Sequence, residues 1–225
     1  MRKSNILSTT VLPVLVTLIA GSLANAQLIV IDQFSQSMGL TDTPWATTVS
    51  LPQYDPAEYG GSVLAEIMFI LDGEAVSSVD LTAVTPSNVI QGEVGALVSA
   101  TNSTLGLQLN ALPMGTFAPP IIDVAAGVTT TLANVSGVDD DMVTLVGAEM
   151  DPFIGSGSFT VDLEALGTSS QSLAGGNLDV SQRTQASAVL TVQYKVAEIV
   201  PEPATGTMAI FGILGLLGFR RRNKS

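Results

Sequence analysis

The sequence predicts a mainly β protein: an antiparallel, jelly-roll-like β-sandwich flanked by an N-terminal signal-peptide helix and a short C-terminal transmembrane helix. Three observations carry this. Between Gln27 and Ile199 apolar and polar residues alternate with period two in several segments, most plainly Phe159, Val161, Leu163 and Ala165 against Thr160, Asp162 and Glu164. Turn-prone clusters separate these segments, and none of them shows a long amphipathic helical period. Valine, threonine and serine are plentiful while lysine and arginine are nearly absent, a composition that suits strands with one wet face.

Residues 1–26 form the first element. Arg2 and Lys3 open it, an apolar stretch is centred on Val11 to Ala20, and Ala24-Asn25-Ala26 precedes Gln27. This is the three-part layout of a secretory signal peptide, with Ala24 and Ala26 small enough for the signal peptidase, so the mature chain is expected to start at Gln27. Residues 27–199 form the second element, a single domain of ordinary size with no repeat at a fixed period. Its expected strands are QLIVIDQF, WATTVSLP, SVLAEIMFIL, VSSVDLTAV, LGLQLNAL, MVTLVGAEM, GSFTVDLEAL and ASAVLTVQYKV. The last of these sets Leu190, Val192, Tyr194 and Val196 against Thr191, Gln193 and Lys195. Gly60-Gly61, Asp72-Gly73, Gly155-Ser156-Gly157 and Gly175-Gly176-Asn177 read as turns, and the polar stretch 167–186 as a long surface loop. Helix is expected only in the two terminal segments.

Residues 200–225 form the third element. Pro201 and Pro203 have fixed φ and no N–H, so the segment around Glu202 is held extended and unpaired, as a processing enzyme requires. Residues 207–219 carry no charge. Counted even from Ala204, a helix there spans about 24 Å, short of the roughly 30 Å hydrocarbon core. Arg220, Arg221 and Arg222 can reach the headgroups and are retained on the cytoplasmic side.

Composition narrows the chemistry further. The 225 residues include neither cysteine nor histidine. Disulfides, Cys-His nucleophiles, Ser-His-Asp triads and His or Cys metal sites are therefore excluded. The formal charge is -12, but six of the eight basic residues lie in the terminal segments. Between Gln27 and Val200, Arg183 and Lys195 face nineteen acidic residues, a net charge of -17. Such a surface repels phosphate backbones, which argues against nucleic acid as a partner, and leaves divalent cations, basic partners or neutral glycans.

The tail, with Val200-Pro201-Glu202-Pro203-Ala204-Thr205 as the motif, resembles the PEP-CTERM sorting signal of Gram-negative bacteria. The resemblance implies recognition by an exosortase, a membrane-embedded transpeptidase that cuts near the motif. It also implies export through the inner membrane, transient anchoring by residues 207–219, and release to the cell surface or the exopolysaccharide matrix. A second resemblance rests on Leu51-Pro52-Gln53-Tyr54-Asp55-Pro56 followed by Gly60-Gly61 and a strand, and on FIGSGSFTVDLEA and ASAVLTVQYKV. These look like the opening and closing parts of choice-of-anchor E domains, with Tyr54 where phenylalanine is common and one tyrosine, Tyr194, where two are frequent. That family implies a β-rich surface module and supplies no catalytic residues.

Candidate chemistry in the domain is sparse. Asp139-Asp140-Asp141, read as a loop after Gly137, could offer oxygen ligands to calcium, with Glu149 and Asp151 across a hairpin. The run lacks the alternation of an EF-hand, and a solvated turn competes. Asp139 and Asp141 are the named metal candidates, and no other cofactor is expected. A glycosidase carboxylate pair cannot be picked out from nineteen acids. Trp45 could be a sugar platform or a core residue, and Asn102-Ser103-Thr104 and Asn134-Val135-Ser136 match the glycosylation pattern. Lys195 is expected to face solvent. The sequence points to a non-catalytic surface or matrix protein with a structural or adhesive role, its partners being signal peptidase, exosortase and extracellular polysaccharide. The alternative is a carbohydrate- or calcium-binding module.

Overall fold

Period-two alternation builds ten strands over residues 26–117 and 121–199, the residues described by the computed structural model. They are β1 (Ala26–Asp42), β2 (Trp45–Pro52), β3 (Leu64–Thr85), β4 (Ser87–Asn102), β5 (Leu107–Ala111), β6 (Met114–Phe117), β7 (Ile122–Val124), β8 (Thr129–Leu145), β9 (Ser158–Leu173) and β10 (Asn177–Ile199). A single 3-10 turn, Gly147–Phe153, interrupts them. The sandwich is the unit Val30–Val196; of the second unit, Met1–Ile29 with Ala197–Ser225, the described residues are the ends of β1 and β10.

One sheet runs β1-β10-β3-β8, the other β2-β9-β4-β5, with β6 and β7 continuing the β5 side of β4. Successive strands from β1 to β4, and again from β7 to β10, change sheet at every connection. Most partners are therefore far apart in sequence: Trp45 pairs with Ala165, and Ile67 with both Tyr194 and Leu145. Folding must close long loops before these pairings form. The inner rows of the two sheets interdigitate. Phe159, Val161, Leu163 and Ala165 face Leu190, Val192 and Tyr194 in one buried cluster, as the alternation predicts. Phe69, Phe153 and Phe159 close it, with ring centroids 5.0–5.9 Å apart in tilted and edge-on geometries.

Several expectations are corrected. SVLAEIMFIL and VSSVDLTAV are one strand, β3, that runs through Asp72-Gly73 without a turn. Gly73 is small because of the facing sheet: a Cβ there would meet the Ala111 Cβ at 3.2 Å. Strand β4 is not among the expected strands. A Cβ on Gly92 would lie 2.1 Å from the Phe117 ring, and one on Gly95 would lie 2.0 Å from the Pro113 carbonyl oxygen. These glycines admit β6 and its flanking proline against β4.

The polar stretch 167–186 is not a surface loop. Its first part completes β9, paired with Val89–Ala96 of β4, and its second begins β10, paired with Thr85–Ala75 of β3. Only residues 174–176 turn the chain. Both faces of β9 here meet water, which hides the alternation, while the neighbouring strand supplies the hydrogen bonds that fix the conformation. MVTLVGAEM is likewise divided, its first residues ending β8 and Gly147 to Met150 entering the 3-10 turn.

Candidate functional site

The sorting motif Val200, Pro201, Glu202 and Pro203, the apolar run 207–219, the basic Arg220, Arg221 and Arg222, and Ala24 lie outside the described residues. Described next to them are Ala26, where β1 opens, exposed Gln27, and Ile199, where β10 ends.

The acidic run lies on a strand, not a loop. Asp139, Asp140 and Asp141 are mid-β8, directly across from Gly73, Asp72 and Leu71 of β3. Alternation then divides their roles. Asp139 and Asp141 turn toward the seam between the sheets: the N–H of Leu112 donates to Asp139 Oδ2 at 2.7 Å, and that of Asn110 to Asp141 Oδ2 at 2.8 Å. Asp141 Oδ1 also accepts from the N–H of Met142 at 2.9 Å. Asn110 and its strand β5 border one sheet, and β8 borders the other, so the carboxylates occupy N–H groups that would otherwise offer an open edge. Asp140 faces out, directly opposite Asp72. With Gly73, Glu74, Val138, Asp139, Ser187 and Val189 these two line an open groove of about 420 Å³. Among the described residues no three acidic groups converge to hold a metal ion. Glu149 and Asp151 are in the 3-10 turn rather than across a hairpin from the run.

At Leu51 to Gly61 the structure builds a tyrosine cluster. Tyr54 is buried, stacks on Tyr59 with centroids 5.2 Å apart, and donates its hydroxyl to the Ser62 carbonyl at 2.6 Å. Tyr194, on β10, donates to the Pro52 carbonyl at 2.6 Å and lies 5.7 Å from Tyr54. The Tyr59 hydroxyl donates to Asp32 of β1. That bond to a carboxylate, with burial behind it, pushes the Tyr59 phenol up to about 12. Burial alone raises Tyr54, and burial first among its causes raises Tyr194. Residues 52–62 therefore tie β1, β2 and β10 together.

Other singled-out residues also serve the fold. Trp45 is 9% exposed and its Nε1 donates to the Ala186 carbonyl at 3.1 Å, so it is a core residue and not a sugar platform. Lys195 does not point freely into solvent. It is in register with Glu66, and the two form an ion pair of 2.6 Å with side chains 16% and 18% exposed. Asn102 has its amide engaged on both sides, donating to the Thr160 carbonyl at 2.7 Å and accepting from the Leu105 N–H at 2.9 Å. Asn134 stands at φ 58° beside the irregularity in the β3–β8 pairing. Arg183 pairs with Asp42 at 2.7 Å, and that hydrogen bond, helped by one from Gln185, holds the Asp42 carboxyl below its usual range. No spacing in the sequence announces Asp32–Tyr59, Glu66–Lys195 or Asp42–Arg183, because each joins β1 or β3 to a distant partner.

Residues 200–224 match the family model of the PEP-CTERM protein-sorting motif. The tail is thus similar to a PEP-CTERM sorting signal. A PEP-CTERM motif implies export, processing by an exosortase, and a location at the cell envelope or surface of a Gram-negative bacterium. No curated protein matches the chain. Among solved structures, that of the infectious bursal disease virus Gx strain is similar over 88% of this chain and 49% of its own, at 11% identity and a TM-score of 0.16. The T13 particle of the same virus is similar over 76% of this chain and 40% of its own, at 12% identity and a TM-score of 0.16. This chain spans about half the length of the first of these, and likeness at such TM-scores carries no argument.

Proposed function

We propose that this PEP-CTERM protein is a non-catalytic surface or exopolysaccharide-matrix component with a structural or adhesive role. Signal peptidase frees Gln27, residues 207–219 hold the chain in the inner membrane for a time, and exosortase removes the tail near Val200–Pro203. We read the ectodomain as choice-of-anchor E-like and as a jelly roll. What supports the second reading is the strand order: β1-β10-β3-β8 stacked on β2-β9-β4-β5 is the arrangement expected of two interlocked Greek keys. The observation that carries the functional reading is how the polar groups are used. Asp139, Asp141, Asp32 with Tyr59, and Glu66 with Lys195 are spent on seams and loops of the fold, while outward rows such as Thr160, Asp162 and Glu164 stay exposed for many weak contacts.

Two measurements test it. Replacing Pro201 and Pro203 with alanine is expected to leave uncut chain, with Arg220–Arg222 attached, in the membrane fraction. Wild-type surface material should lack that tail, and tailed wild-type protein at the surface of exosortase-bearing cells would refute the processing. The competing reading is a calcium- or glycan-binding module, for which the Asp72–Asp140 groove is the natural place. A rise in Tm with millimolar calcium, or retention on a glycan array, would decide for it and against the structural role.

A further inference from the structure

The buried residues form two clusters rather than one core. The larger contains Ile67, Phe69, Leu71 and Ala75 of β3 with Ala186 to Tyr194 of β10. The smaller contains Val79, Leu81 and Ala83 further along β3, with Val89, Val94, Phe117 and Val124. Between them the inner rows of β3 and β10 turn polar, while that of β4 stays apolar from Val94 to Ala96. Ser77 is directly across from Thr184, and their buried hydroxyls bond at 2.9 Å. Gln182 Nε2 bridges Thr184 Oγ1 at 3.1 Å and the Thr168 carbonyl at 3.3 Å, while its Oε1 is buried with no partner among the described residues. On β9 the same level is occupied by Gly167, where a Cβ would meet Thr43 Oγ1 at 2.9 Å. The β3–β8 pairing also slips there, between Ser77 and Val79.

Each of these features weakens mechanical continuity at one level. On the β3–β10 side few apolar contacts cross the hydroxyls and amides, and across β4 only the small Ala96 follows Val94, so separating the two clusters exposes little apolar surface there. The slip interrupts the β3–β8 ladder, and an unsatisfied buried acceptor favours states in which water can reach it. The distance is also large: sixteen residues of β3 separate Leu64, paired with Val196, from Asp80, roughly 50 Å at about 3.3 Å per residue. We infer that the sandwich is two cooperative units, and that the small-cluster end opens locally about the Ser77–Thr184–Gln182 plane while the large-cluster end, which holds the tyrosine loop, stays folded. Such an end can yield, and expose strand edges to a partner, without unfolding the rest.

Native-state hydrogen exchange read by mass spectrometry on the full chain in detergent tests this. In wild type, amides of residues 79–94 and 122–132 should exchange at least tenfold faster than those of residues 67–75 and 186–194. Leu81→Ala should speed the first group by a further roughly 30-fold, about 2 kcal/mol, and leave the second within twofold. The milder Val79→Ala should shift the same group by less. Equal rates at both ends in wild type, or a variant that accelerates both groups together, would overturn the inference. So would loss of all folded protein in Leu81→Ala, since a separable end cannot unfold the other.

Discussion

Replacing Asp139 and Asp141 with alanine separates a seam role from a calcium role. Each carboxylate accepts a backbone N–H of the β5 side, at 2.7 and 2.8 Å. A hydrogen bond to a charged group contributes about 1.5–3 kcal/mol when protected. These bonds are open to solvent, where screening reduces such interactions, so about 1 kcal/mol each is the appropriate discount. Losing both costs about 2 kcal/mol, which for a sandwich of this size lowers Tm by roughly 4–8 °C. The Asn variants keep an amide oxygen that can accept the same N–H, and should lose less than half as much. Urea denaturation of the four single variants and the double alanine variant, with and without calcium, reads this directly. The seam reading fails if Asn and Ala variants are equally damaged, or if calcium stabilises wild type and that gain disappears in the alanine variants. The double alanine variant should also self-associate faster, because two edge N–H groups are uncovered.

The remaining predictions concern pH and packing. Tyr59 is raised in the folded state, so its contribution is complete below the ordinary tyrosine value near 10 and is lost as pH climbs through about 12. Tyr54 and Tyr194 shift in the same direction, and wild type should therefore lose stability above about pH 10. Tyr59→Phe should cost about 1–2 kcal/mol at neutral pH and flatten that alkaline decline; an unchanged slope in a pH series of urea melts would contradict the assignment. Gly92→Val places a branched side chain inside the space of the Phe117 ring, so a loss of at least about 1–3 kcal/mol is expected. Gly92→Val paired with Phe117→Ala should recover part of it, and a double-mutant cycle showing no coupling would argue against the contact.

What could be read from the sequence depended on range. Alternation is a local property of the pleat, so β2, the inner row of β9 and the buried row Leu190 to Val196 follow directly from residue order. Composition likewise excluded whole chemistries. The sorting tail could be read because its parts are contiguous, and its match with the family model concerns those same residues. Strand β4 and the polar halves of β9 and β10 could not be read in this way. Gly92 and Gly95 have no side chains because Phe117 and Pro113 need the space, and Ser169 to Ser172 are extended because β4 lies beside them.

The same division holds for the polar residues. By itself the sequence determined an acidic, cysteine-free and histidine-free β domain between two terminal segments, together with strands such as β2 and β5. Only the tertiary structure decided that Asp139 and Asp141 close a seam, that Lys195 meets Glu66, and that the Ser77 and Thr184 hydroxyls pair between two buried clusters. The physical reason is that a side chain's task is set by what stands opposite it. In a fold whose strands change sheet at most connections, the group opposite usually lies far along the chain.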